Sequence, residues 1–208
     1  MLKKNFILIV IGLFAIGIIL LKFCFSETLW ETKNVNINVS DITNSINKSE
    51  STNNLNWSDS NVLNKIQQNF MAIAGCEGKE VMVDENIHFY EDGMIMLTIQ
   101  NCKNVDYLDA YTYENGKWSD PSPVRTSIHD NWKSNLFPLS AVRFGTVAKV
   151  IANYNDKAQQ IVGAEKISHV YIVNLGKLTW YPRSIDGTRE SYSIEFDLNG
   201  DIKSFQRD

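Results

Sequence analysis

Apolar and polar positions divide the chain into three stretches. The first is an unbroken apolar run from Phe6 to Leu21, which Lys22 interrupts and Phe23-Cys24-Phe25 extends. The second is polar: residues 33–60 hold eight Asn and six Ser and no Pro or Gly. The third, from about Asp59 to the C-terminus, alternates between helical and strand periods.

Only a helix satisfies the backbone polar groups of the first stretch within hydrocarbon. Its length suits a span of roughly 17–25 residues if Lys22 snorkels to the interface. Residues 1–26 therefore read as an uncleaved transmembrane signal-anchor. A cleaved signal peptide is the alternative, with Cys24 and Ser26 before the cut. Acylation of Cys24 is disfavoured, because Phe23 stands where a small residue is needed. Lys3 and Lys4 hold the N-terminus in the cytoplasm. The expectation is a single pass through the inner membrane by residues 6–25 and an extracytoplasmic, periplasmic C-terminal domain. Residues 27–58 read as a flexible tether spanning on the order of 30 Å.

In the third stretch, Asp59 or Ser60 can cap a helix whose apolar face is Val62, Ile66, Phe70 and Ile73, closed by Gly75. Strand-like runs follow at Ile87–Tyr90, Met94–Gln100 and Tyr107–Tyr113, with hairpin signals at Asp92-Gly93 and Asn115-Gly116. Lys117–Val124 reads as an edge strand broken by Pro121 and Pro123. The order then returns. Ser140 can cap a helix carrying Phe144, Val147, Ile151 and Tyr154. Strand-like runs follow at Ser168–Asn174, Lys177–Tyr181 and Glu190–Asp197, and Asn199-Gly200 turns into Asp201–Phe205. His88 and His169 fall at matching points. The pattern predicts an α+β fold of two helix-plus-antiparallel-strand modules, residues 59–125 and 140–208, joined by a connector at 126–139. Their strands are expected to form one sheet with both helices on one face, since separate modules would leave edges exposed.

Composition adds location and partner. The chain has 20 basic and 24 acidic side chains. Without the leader lysines Lys3, Lys4 and Lys22, the exported part has 17 against 24, a net of −7. That disfavours a nucleic-acid partner, which needs a basic stripe. It is also what ordinary solubility requires. Cys76 and Cys102 are the only cysteines beyond the leader, and an oxidising compartment allows them to pair. Closing that loop is worth about 3.5 kcal/mol in the chain-entropy treatment.

No catalytic constellation emerges. His88, His129 and His169 show no metal spacing. Asp197, Asn199 and Asp201 alternate as in a calcium loop, but Ile202 stands where such a loop needs Gly. Carboxylate pairs such as Asp84-Glu85 and Glu91-Asp92 lie in turn-like text. No metal, no cofactor and no enzymatic activity are expected. The aromatics Tyr111, Tyr113, Trp118, Trp132, Trp180 and Tyr181 are the candidate partner-binding residues, because interfaces favour such side chains as anchors. In the connector, Trp132 and Phe137 read either as plugs under the loop or as contacts.

The tandem order with a period near 80, together with Tyr113-Glu-Asn-Gly116 and Phe196-Asp-Leu-Asn-Gly200 leading into turns, resembles PepSY-type and beta-lactamase-inhibitor-protein-like modules. The resemblance implies a sheet face presented to an enzyme, or regulation of a peptidase. The expectation for function is a membrane-tethered exported binding protein, an inhibitor or immunity-type protein that occludes a partner enzyme. The alternative is an accessory structural subunit of a cell-envelope or secretion complex.

Overall fold

The computed structural model describes residues 56–127 and 129–208. The expected anchor at 6–25 and the tether up to residue 55 lie outside the described residues. Among the described residues no helix is long and apolar enough to cross a membrane.

The fold is α+β, with two helices and eleven strands among the described residues. Helix α1 spans Ser60–Ile73 and is capped by Asp59, whose carboxylate accepts the N–H groups of Asn61 and Val62. Its buried face is Leu63, Ile66 and Phe70. Ile73, expected on that face, is half exposed at the last turn, where Ala74 is buried instead. The first strands are β1 (Met82–Tyr90), β2 (Ile95–Gln100), β3 (Leu108–Glu114), β4 (Lys117–Trp118) and β5 (Ser122–Val124). Asn115 and Gly116 both take positive φ, the left-handed geometry that a two-residue hairpin turn between β3 and β4 demands. The segment read as one edge strand is two short ones. Both β4 and β5 pair with β3, and the prolines fall at the break and on the edge where a missing N–H costs least.

The connector contains more structure than its sequence suggested. Trp132–Asn135 forms a 3-10 turn, and Leu136–Pro138 forms β6, which pairs with β1. Three residues are too few to display an alternation. Helix α2 spans Thr146–Ala158 and begins six residues after Ser140, the expected cap. Its start is fixed by α1 instead. Asn64 Oδ1 accepts the Gly145 N–H at 2.9 Å, and Gln67 Oε1 accepts the Phe144 N–H at 3.0 Å. Gln67 Nε2 also donates to the Val142 carbonyl at 2.7 Å. The helices meet so closely here that a Cβ on Gly145 would lie 2.7 Å from Asn64 Oδ1. Side chains 75 to 81 residues away therefore do the work of a local cap, and no local pattern could reveal it.

After α2 come β7 (His169–Asn174), β8 (Leu178–Tyr181), β9 (Ser184–Asp186), β10 (Ser191–Phe196) and β11 (Ile202–Arg207). They do not join one sheet. The large sheet runs β4-β3-β2-β1-β7-β8, with β5 on β3 and β6 on β1, while β9, β10 and β11 form a second, three-stranded sheet. The chain leaves the first sheet after Tyr181, and β9 to β11 turn Ile185, Ile194 and Phe196 into the shared core.

One face of the large sheet is covered by the helices. Phe70 meets Tyr111 edge-on at 5.1 Å and Trp118 at 4.6 Å, and Phe89 meets Phe144 at 5.0 Å. Cys76 and Cys102 lie at disulfide distance, with Cα atoms 5.0 Å apart, within the usual range for a bridge. The pair ties the end of α1 to the end of β2.

Candidate functional site

Successive residues of a strand point to opposite faces, so burial sorts the aromatics. Tyr111 and Tyr113 share the inner face of β3 and are buried. Burial raises the pKa of both hydroxyls, and Asp109 adds to the effect at Tyr111. Trp180 is 1% exposed in the core. Trp118 is half-buried against Phe70, and its indole N–H donates to the Ile66 carbonyl. These four candidates belong to the core or pack against it and leave little ring surface for a partner. Tyr181 follows Trp180 and faces the other way. Trp132 is partly exposed on the 3-10 turn, while Phe137 is buried.

The opposite face of the large sheet carries a different set. Where β2, β1, β7 and the edge strand β8 run side by side, its outward positions are Met96, Thr98 and Gln100 of β2, Asn86, His88 and Tyr90 of β1, His169, Tyr171 and Val173 of β7, and Thr179 and Tyr181 of β8. None of these is charged; the acidic Asp84 of β1 and Glu114 of β3 lie further out on the same face. Register aligns them in rows. Tyr181 is opposite Tyr171, Tyr171 opposite His88, and His88 opposite Met96. The neighbouring row pairs Tyr90 with His169. Tyr171 and Tyr181 stack at 4.8 Å, and Tyr90 and His169 at 4.3 Å with planes 3° apart. Cross-strand aromatic contacts of this kind each add roughly 0.2–1 kcal/mol. The rings are only partly covered, and Met96 is 40% exposed.

At the centre, His88 Nδ1 and His169 Nε2 are 2.9 Å apart. The separation of 81 residues is the step that also carries Tyr90 to Tyr171. Applied to the register, it exchanges the His88–Tyr171 and Tyr90–His169 pairs and maps Phe89–Val170 onto itself, as a local two-fold axis between β1 and β7 requires. Burial lowers the pKa of both imidazoles, and His88 lowers that of His169 further. Burial and then Tyr181 raise the pKa of Tyr171. Sequence spacing singled out the two histidines as equivalent; that equivalent strands pair side by side is what brings them into contact.

The other end of this face is different. There the connector overlies the sheet, Leu108 and Val173 are buried, and a cleft of about 460 Å³ opens among Asp84, Glu85, Val124, Arg125, Asp130 and Trp132. Asp84 Oδ1 is buried without a hydrogen-bond partner. Burial, with Glu85 beside it, raises its pKa. The Ser134 hydroxyl at the rim donates to the Asn131 carbonyl. One perturbed carboxyl without a nucleophile bonded to a base does not make a catalytic set. Among the described residues no group of three His, Cys, Asp or Glu side chains is placed to hold a metal.

Compared with protein families, curated proteins and solved structures, the chain matches none.

Proposed function

We propose that this chain is a membrane-tethered exported binding protein whose open sheet face docks on a partner protein and occludes it, most simply an enzyme of the same compartment. Residues 1–26 anchor it in the inner membrane. Residues 27–58 give it reach. Two related modules, 59–125 and 140–208, supply the sheet's strands β1–β5 and β7–β8, and the connector adds β6. The His-X-Tyr text shared by β1 (His88, Tyr90) and β7 (His169, Tyr171) supports that internal relation.

The observation that carries the reading is the uncharged aromatic row Tyr181–Tyr171–His88–Met96 on the uncovered face. Interface centres are depleted of charge and enriched in aromatic residues and Met. The fitting partner presents an uncharged, apolar convex surface. The net negative charge of the rest of the exported part steers a basic rim toward it.

The test is a photo-crosslinking residue placed in the full-length chain, in its native membrane, at Met96, at Tyr181, and at Gln159 on the helical side. A discrete heteromeric adduct from Met96 and Tyr181 but not from Gln159 is expected. No adduct at all, or the same adducts from all three positions, contradicts the proposal.

A further inference from the structure

The two histidines at the centre of this face meet in a particular way. Their facing nitrogens are 2.9 Å apart while their ring centres are 5.1 Å apart and their planes differ by 13°. Rings whose nitrogens are so much closer than their centres meet edge to edge. An in-plane N–H of one therefore points at the in-plane lone pair of the other. A metal ion does not fit this arrangement, since two His–metal bonds of about 2.0–2.1 Å would set nitrogens aligned in this way about 4 Å apart.

Proton bookkeeping follows from the geometry. Each neutral imidazole has one N–H. The donor's proton lies between the rings, and the acceptor's proton is on its outer nitrogen. The donor's outer nitrogen is bare. The first added proton goes there and leaves the bridge intact, now charge-assisted. The second can go only to the acceptor's facing nitrogen, which sets two N–H groups head to head and two positive charges on adjacent rings. Exchanging donor and acceptor changes the labels and not the sequence of events.

Among the described residues the surroundings offer no counter-charge to the second proton. The titratable groups facing the pair are Tyr90 on β1, Tyr171 on β7 and Tyr181 on β8; β2 contributes Met96. Glu91 and Asp92 are exposed in the turn after β1, and among the described residues no carboxylate bonds either ring. The inner side of both strands is apolar core: Ile87, Phe89, Val170 and Ile172.

We infer that the His88–His169 pair is a two-step proton switch built into the partner-binding face: it accepts one proton with its hydrogen bond intact and a second only by breaking it, and the second step releases the partner. The release rests on the proposed function; the switch does not. Parting of the two rings separates Tyr90 and Tyr171 from the imidazoles they stack on and places like charges in the centre of an otherwise uncharged surface.

The test uses the full-length chain in detergent micelles, labelled with ¹⁵N-histidine and titrated from about pH 8 to about pH 4. With only three histidines in the chain, exposed His129 is the internal reference. The expected result is a trans-hydrogen-bond N–N coupling between His88 and His169 that survives the first step and disappears at the second, with the steps roughly one pH unit or more apart. In His169→Gln, His88 should titrate in a single step. Absence of the coupling at high pH, or one joint step for both rings, overturns the switch. Should His169→Gln fail to fold, the coupling in the unaltered chain decides alone. The release is read separately, as adduct yield from the Met96 crosslinker against pH. Loss across the second step, abolished in His88→Gln, supports it; a flat yield overturns it. No adduct at any pH overturns the partner-face reading and the release with it, while the spectra still judge the switch.

Discussion

Trp180 and Tyr181 are consecutive residues with opposite fates. The first is sealed in the core, and the second stands on the open face in a row with Tyr171 and His88. The same contrast holds across the sheet. The inner aromatics Tyr111, Tyr113 and Trp118 meet Phe70 and one another edge-on or tilted, the arrangement of a three-dimensional core. The outer aromatics stack side by side on a single layer with nothing described above them. Identical residue types thus hold the protein together on one face and make a surface on the other, and what packs over each face decides which. Substitutions on the two faces should separate stability from binding.

The largest effect is expected on the inner face. Trp180→Ala removes a fully buried indole and should destabilise the fold by about 3–5 kcal/mol in denaturant unfolding. Tyr181→Ala, one residue on, should cost no more than about 1 kcal/mol. Equal losses would erase the distinction between the faces. Next, replacing Cys76 and Cys102 together by Ser should cost about 3 kcal/mol, and reduction of the unaltered chain should reproduce that loss. A smaller effect tests the join between the helices. Gln67→Ala leaves the Phe144 N–H and Val142 carbonyl without their partner and should cost about 1–3 kcal/mol, whereas neighbouring, exposed Gln68→Ala should change little.

Acid should weaken the outer face selectively. The folded pKa of His88 and His169 is below the ordinary 6.5, so the unfolded chain binds more protons in the interval between. Their contribution is intact above pH 6.5 and is lost as pH falls through the folded values. Unfolding measured against pH should show this slope, and His88→Gln should flatten it. A slope unchanged in that variant would place its origin elsewhere.

Much of this arrangement was legible in the sequence. Asp59 as a cap, α1, the Asn115-Gly116 turn and the strand runs all follow from local spacing, because each is fixed by residues within a few positions. The start of α2 was not, since Asn64 and Gln67 fix it across the gap between the helices. β6 was hidden by its length. The aromatics were named together without being sorted by face, and no local pattern says which face of the sheet is covered. That is why the candidate aromatics fell on both. His88 and His169 were visible as a matched pair, but their contact depends on β1 pairing with β7, a choice made by tertiary structure.

The central claim is that the uncharged outer row is the partner surface. Its most direct test is Tyr171→Asp in the full-length chain, followed by both thermal unfolding and adduct yield from the Met96 crosslinker. The account predicts a folded chain that loses about 1–2 kcal/mol from its aromatic contacts, with adduct formation reduced at least about tenfold, as expected when an unpaired charge is forced into a desolvated contact. Full adduct yield from a folded Tyr171→Asp chain would contradict it.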